Sequence, residues 1–242
     1  MSRRKISELS FDTQLVHAGE RGPLPAGQPV STPIYTTATY TYDSMEEVDQ
    51  VFSGEKQGYV YTRYGNPTVS AFESALTALE GGFGACAYAS GMAALHAALF
   101  ACELTPGSTV LASQDLYGAT TQLLYNVFGS FNINTVSVDF NDLDALRAKS
   151  LELKPRVLIA ETLSNPLLKI CDLEACAEIA RTVGARFLVD NTFASPYLCR
   201  PIEHGADFVV HSATKYLSGH ADSMGGVTVA RDEADLTRLS ER

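Results

Sequence analysis

Phe187-Leu188-Val189-Asp190-Asn191-Thr192 and, one crossover later, Phe208-Val209-Val210-His211-Ser212-Ala213-Thr214-Lys215 decide the fold of this chain. Each reads as a compact apolar strand that ends in polar side chains. Working outward, similar strands are expected at residues 85–89, 109–112, 135–138, 157–160 and 225–230. Helices fit between them. Val69, Phe72, Leu76 and Leu79 recur at helical spacing until Gly81-Gly82, and Met92, Leu95 and Leu99 share one face of a helix over 92–101. Further helices are expected at 143–149 and 173–183. Strand–helix alternation with apolar strands predicts an α/β fold, a mostly parallel seven-stranded sheet covered by helices on both faces.

Chemistry follows from where those strands end. An acid closing a parallel strand lies at the carboxyl edge of the sheet, where open α/β sheets bind ligands. On that stretch alone, Asp190 is equally well read as a turn aspartate. The next strand delivers two hydroxyls and an amine (Ser212, Thr214, Lys215) to the same edge. Hydroxyls and main-chain N–H groups in a tight turn hold phosphate. A partly desolvated lysine forms an imine with an aldehyde, and an aspartate one strand away can pair with a pyridinium nitrogen. Lysine, acid and phosphate cradle together are what pyridoxal 5′-phosphate (PLP) chemistry requires.

The run Val189-Asp190-Asn191-Thr192-Phe193-Ala194-Ser195-Pro196, then Pro201, Gly205-Ala206-Asp207 and Ser212-Ala213-Thr214-Lys215-Tyr216-Leu217-Ser218-Gly219-His220, closely resembles the Cys/Met-metabolism PLP enzymes. That family includes cystathionine γ-synthase, cystathionine lyases, methionine γ-lyase and O-acetylhomoserine sulfhydrylase. The resemblance implies the large domain of an aspartate aminotransferase-like (fold type I) PLP-dependent transferase, preceded by an extended arm. Lys215 would be the Schiff-base lysine and Asp190 the partner of the ring nitrogen. Ser212 and Thr214 would contact the cofactor.

Other landmarks run along most of the chain. Residues 13–19 with His17, then Ser31-Thr32-Pro33-Ile34-Tyr35, resemble the family's N-terminal arm. Tyr61-Thr62-Arg63-Tyr64-Gly65-Asn66-Pro67-Thr68 resembles a segment whose tyrosine and arginine reach the cofactor phosphate of the neighbouring subunit. Tyr61 and Arg63 would then act in trans, in a homodimer or homotetramer. Ser90-Gly91-Met92 resembles the family's strand-to-helix turn, where N–H groups at a helix N-terminus suit a phosphate. A plain helix cap by Ser90 is the simpler reading, and both can hold at once. Asp115-Leu116-Tyr117-Gly118 resembles the segment whose tyrosine stacks on the cofactor ring and helps protonate the leaving group. In Glu161-Thr162-Leu163-Ser164-Asn165-Pro166, Asn165 would approach the cofactor's phenolic oxygen. Taken singly, Tyr117 and Asn165 are ordinary turn residues.

Organisation and composition set the remaining limits. Residues 1–60, with Gly22-Pro23-Leu24-Pro25, read as an extended, turn-rich arm on another surface. Residues 61–242 read as the cofactor-binding large domain. Asp232 caps an expected last helix with Leu236 and Leu239 on its inner face. That helix reaches Arg242 without a terminator, so the polypeptide is expected to continue and a small C-terminal domain to be absent. In the family that domain supplies the arginine gripping the substrate carboxylate.

A net charge of −10 counts against a bulk electrostatic grip on nucleic acid or anionic lipid. No apolar run is long enough to span a bilayer, and no signal-peptide core follows Arg3, Arg4 and Lys5. The five scattered cysteines form no C-x-x-C pair, which suggests free thiols and a cytoplasmic setting. Gly82-Phe83-Gly84-Ala85-Cys86-Ala87 fits a dinucleotide fingerprint but precedes its strand, the wrong context for a nicotinamide enzyme. The histidines lack ligand spacing, so no metal is expected. His211 and His220 read as packing or hydrogen-bonding residues.

By the resemblance, Lys215 moves protons at the carbons of a small amino-acid substrate, giving γ-elimination or γ-replacement on homoserine esters, cystathionine or methionine. Ala119 stands where methionine γ-lyases carry a cysteine, which favours a cystathionine γ-synthase-like reading. The other function class is a catalytically silent, PLP-binding or dimerising fragment.

Overall fold

The computed structural model describes Ser10 and residues 29–240. The expected arm landmark at residues 13–19, His17 included, and the turn at residues 22–25 lie outside the described residues.

The apolar runs become one sheet. Its strands are β1 (Gly84–Tyr88), β2 (Thr109–Ser113), β3 (Asn134–Val138), β4 (Val157–Glu161), β5 (Arg186–Asp190), β6 (Phe208–Ser212) and β7 (Gly226–Ala230). They lie in the order β1-β7-β6-β5-β4-β2-β3. Pairs β2/β3, β2/β4, β4/β5 and β5/β6 are parallel. Only β7 runs against its neighbours, β6 and β1. Two reversals restore the direction, so β1 runs the same way as β6. The turn after β1, at Ser90, therefore arrives at the same edge as Ser212.

Alternation along the central strands feeds two cores. Leu188, Phe208 and Val210 point to one face and pack with Leu95, Leu99, Leu124 and Phe128. Phe187, Val189 and Val209 point to the other and pack with Leu76, Leu146 and Ile179. All six strand side chains are essentially fully buried. At roughly 1.5–3 kcal/mol for each large apolar side chain removed from water, these two layers dominate the stability.

Helices α1 (Met45–Phe52), α2 (Pro67–Glu80), α3 (Gly91–Ala101), α4 (Gly118–Gln122), α5 (Leu143–Leu153), α6 (Leu173–Val183), α7 (Ser195–Leu198) and α8 (Glu233–Ser240) surround the sheet. Their ends follow local chemistry. Asn66 caps α2 through Thr68 N–H at 2.9 Å, Pro67 starts it, and Gly81 at φ 73° is the terminator expected from the sequence. Asp172 and Gly184 bracket α6 in the same way. Asp232 accepts the N–H of Asp235 at 2.9 Å and caps α8, while Leu239 is buried.

Three elements differ from expectation. The arm is not wholly extended, because Ser44 accepts the N–H of Glu47 and starts α1. The segment after Tyr117 is helical, with α4 passing into a π-helical stretch at Leu123–Phe128 that buries Leu123, Leu124 and Phe128. The helix expected at 143–149 continues to Leu153, where Lys154 takes a left-handed conformation.

Beneath the carboxyl edge lies a buried polar cluster. Glu80 Oε1 sits 2.6 Å from His211 Nε2 and accepts Asn191 Nδ2–H at 2.9 Å. His211 is thus a hydrogen-bonding residue, as read from sequence, whereas His220 is exposed. All five cysteines are free. Among the described residues, no helix is long and apolar enough to cross a membrane.

Candidate active site

Four strand ends and one helix start converge on a cavity of about 450 Å³ at the carboxyl edge. It is lined by Ser90, Gly91 and Met92 from the start of α3, Tyr117 from the loop after β2, and Asn165 from the loop after β4. Asp190 from β5, with Ser212, Thr214 and Lys215 from the end of β6, complete the expected set. Every residue singled out from the sequence is therefore in one cavity except Tyr61 and Arg63.

One end of the cavity is a helix N-terminus. Ser90 Oγ accepts the N–H of Ala93 at 3.1 Å, and Ser90 O accepts the N–H of Ala94. The N–H groups of Gly91 and Met92 have no place in the intrahelical ladder. With the helix dipole behind them, they make an anion site. The turn seats only because it carries no side chain at Gly91. A Cβ there would lie 2.6 Å from Ser212 Cβ and 2.9 Å from Ser212 Oγ. The absent methyl leaves a cradle between the start of α3 and the end of β6, of the kind a phosphate group occupies.

Along the floor, Asp190 is fixed by its neighbour. Thr192 donates both its N–H, at 2.9 Å, and its hydroxyl, at 2.5 Å, to Asp190 Oδ1. The same hydroxyl oxygen accepts the N–H of Ser212 at 2.9 Å, tying the ends of β5 and β6. Burial pushes the Asp190 carboxyl above its ordinary value, while the Thr192 donors and the nearby His211 pull it down. A cation in the cavity beside this carboxylate gains more than one in water, because surrounding protein screens the charge less.

Thr214 is partly committed elsewhere. Its Oγ1 lies 3.3 Å from Gly225 O and accepts the N–H of Gly225 at 3.2 Å, which holds the turn carrying Lys215 against the start of β7. Lys215 lines the cavity, yet it is exposed. The partial desolvation expected of it is not supplied by the described residues of a single chain. Tyr117 is also about half exposed at 49%.

Two cavity residues that hold their neighbours in place were given no role from the sequence. Thr192 is one. The other is Glu161, the last residue of β4, aligned with Asp190 in register and only 8% exposed. Its Oε1 accepts the N–H of Tyr117 at 2.5 Å and its Oε2 the N–H of Asn165 at 3.0 Å. Burial pushes this carboxyl up to about 7, helped by Asp190 and Asp115 and opposed by the two N–H donors. An acid ending an apolar strand was the available signal, as it was for Asp190.

Tyr61 and Arg63 stand apart. Both are exposed, and Arg63 borders a separate cavity. The guanidinium lies 5.6 Å from the ring centre of Tyr61 and 5.0 Å from that of Tyr64. Among the described residues, no cluster of three or more metal-type ligands occurs.

Comparison with known proteins agrees with this geometry. Residues 12–241 match the model of the Cys/Met metabolism PLP-dependent enzymes. The chain is 42% identical over 219 residues to L-methionine gamma-lyase of Pseudomonas putida, covering 90% of this chain and 54% of that protein. It is 43% identical over 221 residues to cystathionine gamma-synthase of Mycobacterium bovis, covering 91% and 54%. A putative O-acetylhomoserine (thiol)-lyase from Campylobacter jejuni, solved with N′-pyridoxyl-lysine-5′-monophosphate, superposes with a TM-score of 0.78 at 33% identity, covering 85% of this chain and 51% of that one. The chain spans about half the length of the curated relatives it matches. With an α/β sheet of the right topology, a cofactor-sized cavity at its carboxyl edge and a family match over almost all its residues, this chain belongs to the Cys/Met metabolism PLP-dependent enzymes.

Proposed function

We propose that the chain is the PLP-binding part of an enzyme that acts on sulfur amino acids or homoserine esters by γ-replacement or γ-elimination, cystathionine γ-synthase-like in its chemistry. One observation carries the reading. A lysine, a hydrogen-bonded aspartate, a tyrosine, an asparagine and a helix N-terminus face the same cavity of about 450 Å³.

The residues suit the cofactor. The N–H groups of Gly91 and Met92, with Ser212 and Thr214, would hold the phosphate. Asp190, steadied by Thr192, would hold a proton on the ring nitrogen. Tyr117 would cover the ring and Asn165 would meet the phenolic oxygen. PLP itself supplies an electron sink for a carbanion at the amino-acid α-carbon. Lys215 Nζ is the group that would anchor the cofactor aldehyde and then carry protons at the substrate carbons. The Tyr117 hydroxyl would protonate a departing γ-substituent.

Residues 61–242 are proposed as the cofactor domain and residues 1–60 as an arm lying on a neighbouring subunit. Tyr61 and Arg63 would reach that neighbour's phosphate. Their exposure, and their absence from the lining of their own chain's cavity, support action in trans. The similarity to both a methionine lyase and a cystathionine synthase leaves Ala119 as the feature favouring the synthase-like reading.

The test is a visible spectrum of the purified chain with PLP, followed by borohydride reduction and peptide mapping. A reduced adduct on Lys215, lost in Lys215→Ala, is expected. An adduct spread over surface lysines would refute the site. Release of 2-oxoacid and ammonia, or formation of cystathionine, then separates the enzyme from a silent PLP-binding fragment.

A further inference from the structure

Tyr117 and Asn165 belong to different loops, and one side chain lies between them. β2 ends at Ser113 and β4 at Glu161, and these parallel strands are neighbours in the sheet. From their carboxyl ends the chain rises into two loops, one carrying Tyr117 and the other Asn165. Glu161 lies at the base of both. Its two oxygens are divided, Oε1 to the N–H of Tyr117 and Oε2 to the N–H of Asn165. An ionised carboxylate accepts on both oxygens, and hydrogen bonds to a charged acceptor are about twice as strong as neutral ones.

A second tether joins the same loops farther out. Lys169 Nζ donates to Asp115 Oδ2 at 2.8 Å, but the lysine side chain is 39% exposed. Exposed ion pairs contribute little, whereas an N–H left unpaired beneath the loops costs its full desolvation. The inner tether therefore does the holding.

We infer that Glu161 is a positioning residue whose carboxylate, by accepting one main-chain N–H from each loop, fixes Tyr117 and Asn165 relative to one another across the cavity. The consequence for cofactor binding rests on the function proposed above; the tether itself does not. Glu161 would then act through the two loops rather than on a reacting atom.

The charge on Glu161 is what the tether needs. Protonation turns one acceptor oxygen into a hydroxyl, and one of the two N–H groups then loses its strong partner. The charged groups around it are Asp190 on β5, Asp115 in the Tyr117 loop with its partner Lys169 in the Asn165 loop, and Lys215 across the cavity. The two aspartates work against ionisation. The tether is thus set to loosen on mild acidification.

Amide hydrogen exchange on the whole chain without added PLP tests this directly, as protection relative to each amide's intrinsic rate. In Glu161→Gln, the amide oxygen can serve one N–H while the NH2 group faces the other. Protection at Tyr117 or Asn165 is expected to fall about tenfold, with amides in β4 and β5 unchanged. Unchanged protection at both would overturn the inference, and so would an equal loss across the sheet. Should the variant fail to fold, the wild type carries the test. Protection of these two amides must fall on acidification through about pH 7, where the carboxyl gains its proton. Constant protection would overturn it.

Cofactor binding separates the two readings. If the wild type forms the Lys215 adduct, Glu161→Gln should retain PLP about tenfold less tightly, and equal retention refutes the positioning role alone. If the wild type forms no Lys215 adduct, the PLP reading fails while the exchange result still stands or falls by itself.

Discussion

Gly91 and Ser212 approach so closely that a Cβ on the glycine would lie 2.6 Å from the serine Cβ and 2.8 Å from its Cα. The fixed Cα and Cβ of Ser212, which no rotamer change can move away, occupy the space. The contact joins the start of α3 to the end of β6, and it brings the helix N–H groups beside the serine hydroxyl. Gly226 repeats the logic one strand away, because a Cβ added there would run into Ser90 O. Gly91→Ala is therefore expected to push helix and strand apart. Overpacking of this kind costs about 1–3 kcal/mol, and displaced N–H donors should weaken PLP binding about tenfold or more. Urea unfolding and PLP titration measure the two effects. An unchanged affinity would mean that the turn does not hold the phosphate.

Thr192 serves two strands with one hydroxyl, which donates to Asp190 Oδ1 and accepts from Ser212 N. Thr192→Val keeps the shape and removes both bonds. The Ser212 N–H is left without its acceptor and Asp190 without its closest donor, at a cost of about 1–3 kcal/mol. Since the Thr192 donors hold the Asp190 carboxyl down against burial, loss of the hydroxyl donor, with the main-chain N–H kept, should raise it further. Thr192→Ser should recover most of the stability. Chemical denaturation of the three proteins decides the point, and a stable valine variant would show that the hydroxyl bridge contributes nothing.

Glu161 gives the fold a pH dependence of definite sign. Its carboxyl is raised from an ordinary 4.5 to about 7, chiefly by burial. A group raised on folding binds more protons in the folded state, so its contribution is full below about pH 4.5 and is lost as pH rises through about 7. The size, from the shift, is on the order of 3 kcal/mol. Wild-type stability should fall between pH 5 and pH 7.5 relative to Glu161→Gln, which has no proton to lose. Parallel pH profiles for the two proteins would refute this. Ionisation thus weakens the global fold while it orders the Tyr117 and Asn165 loops, so the two readouts move in opposite directions.

The sheet was legible because its strands are buried on both faces and so read as unbroken apolar runs. Phe208, Val209 and Val210 feed opposite cores without a polar residue between them. Helix ends marked by capping chemistry were legible too, Gly81 after α2 and Asp232 before α8. Helix α1 carried the same kind of signal in Ser44-Met45-Glu46-Glu47, a serine with glutamate three residues on, but the proline- and glycine-rich surroundings concealed it. The helical run through Leu123–Phe128 depends on burial of Leu124 and Phe128 against α3 rather than on propensity. Convergence of Ser90, Tyr117, Asn165 and Asp190 follows from strand direction, which the sequence order of strands implies. What Glu161 does there was not readable. Its role lies in which main-chain N–H groups reach it, and no residue pattern encodes that. Solvent exposure of Lys215 was likewise hidden, since it depends on what else covers the cavity.

Arg63 offers the sharpest test of how sites are shared. It lines no part of its own chain's cavity at the carboxyl edge, and its guanidinium lies 5.6 Å and 5.0 Å from the ring centres of Tyr61 and Tyr64 at the exposed surface. If it serves a neighbouring subunit, Arg63→Ala and Lys215→Ala damage different halves of the same site. Each variant alone should bind PLP poorly, the first for want of a phosphate partner and the second for want of the amine. Mixed and reassembled, a dimer of one chain of each kind has one site with both residues intact and one with neither. Random pairing in a two-fold dimer then restores about a quarter of the sites. Borohydride-trapped adduct on Lys215, counted by peptide mapping before and after mixing, measures the recovery. Action within one chain predicts none, because every site then retains one of the two lesions however the chains are paired.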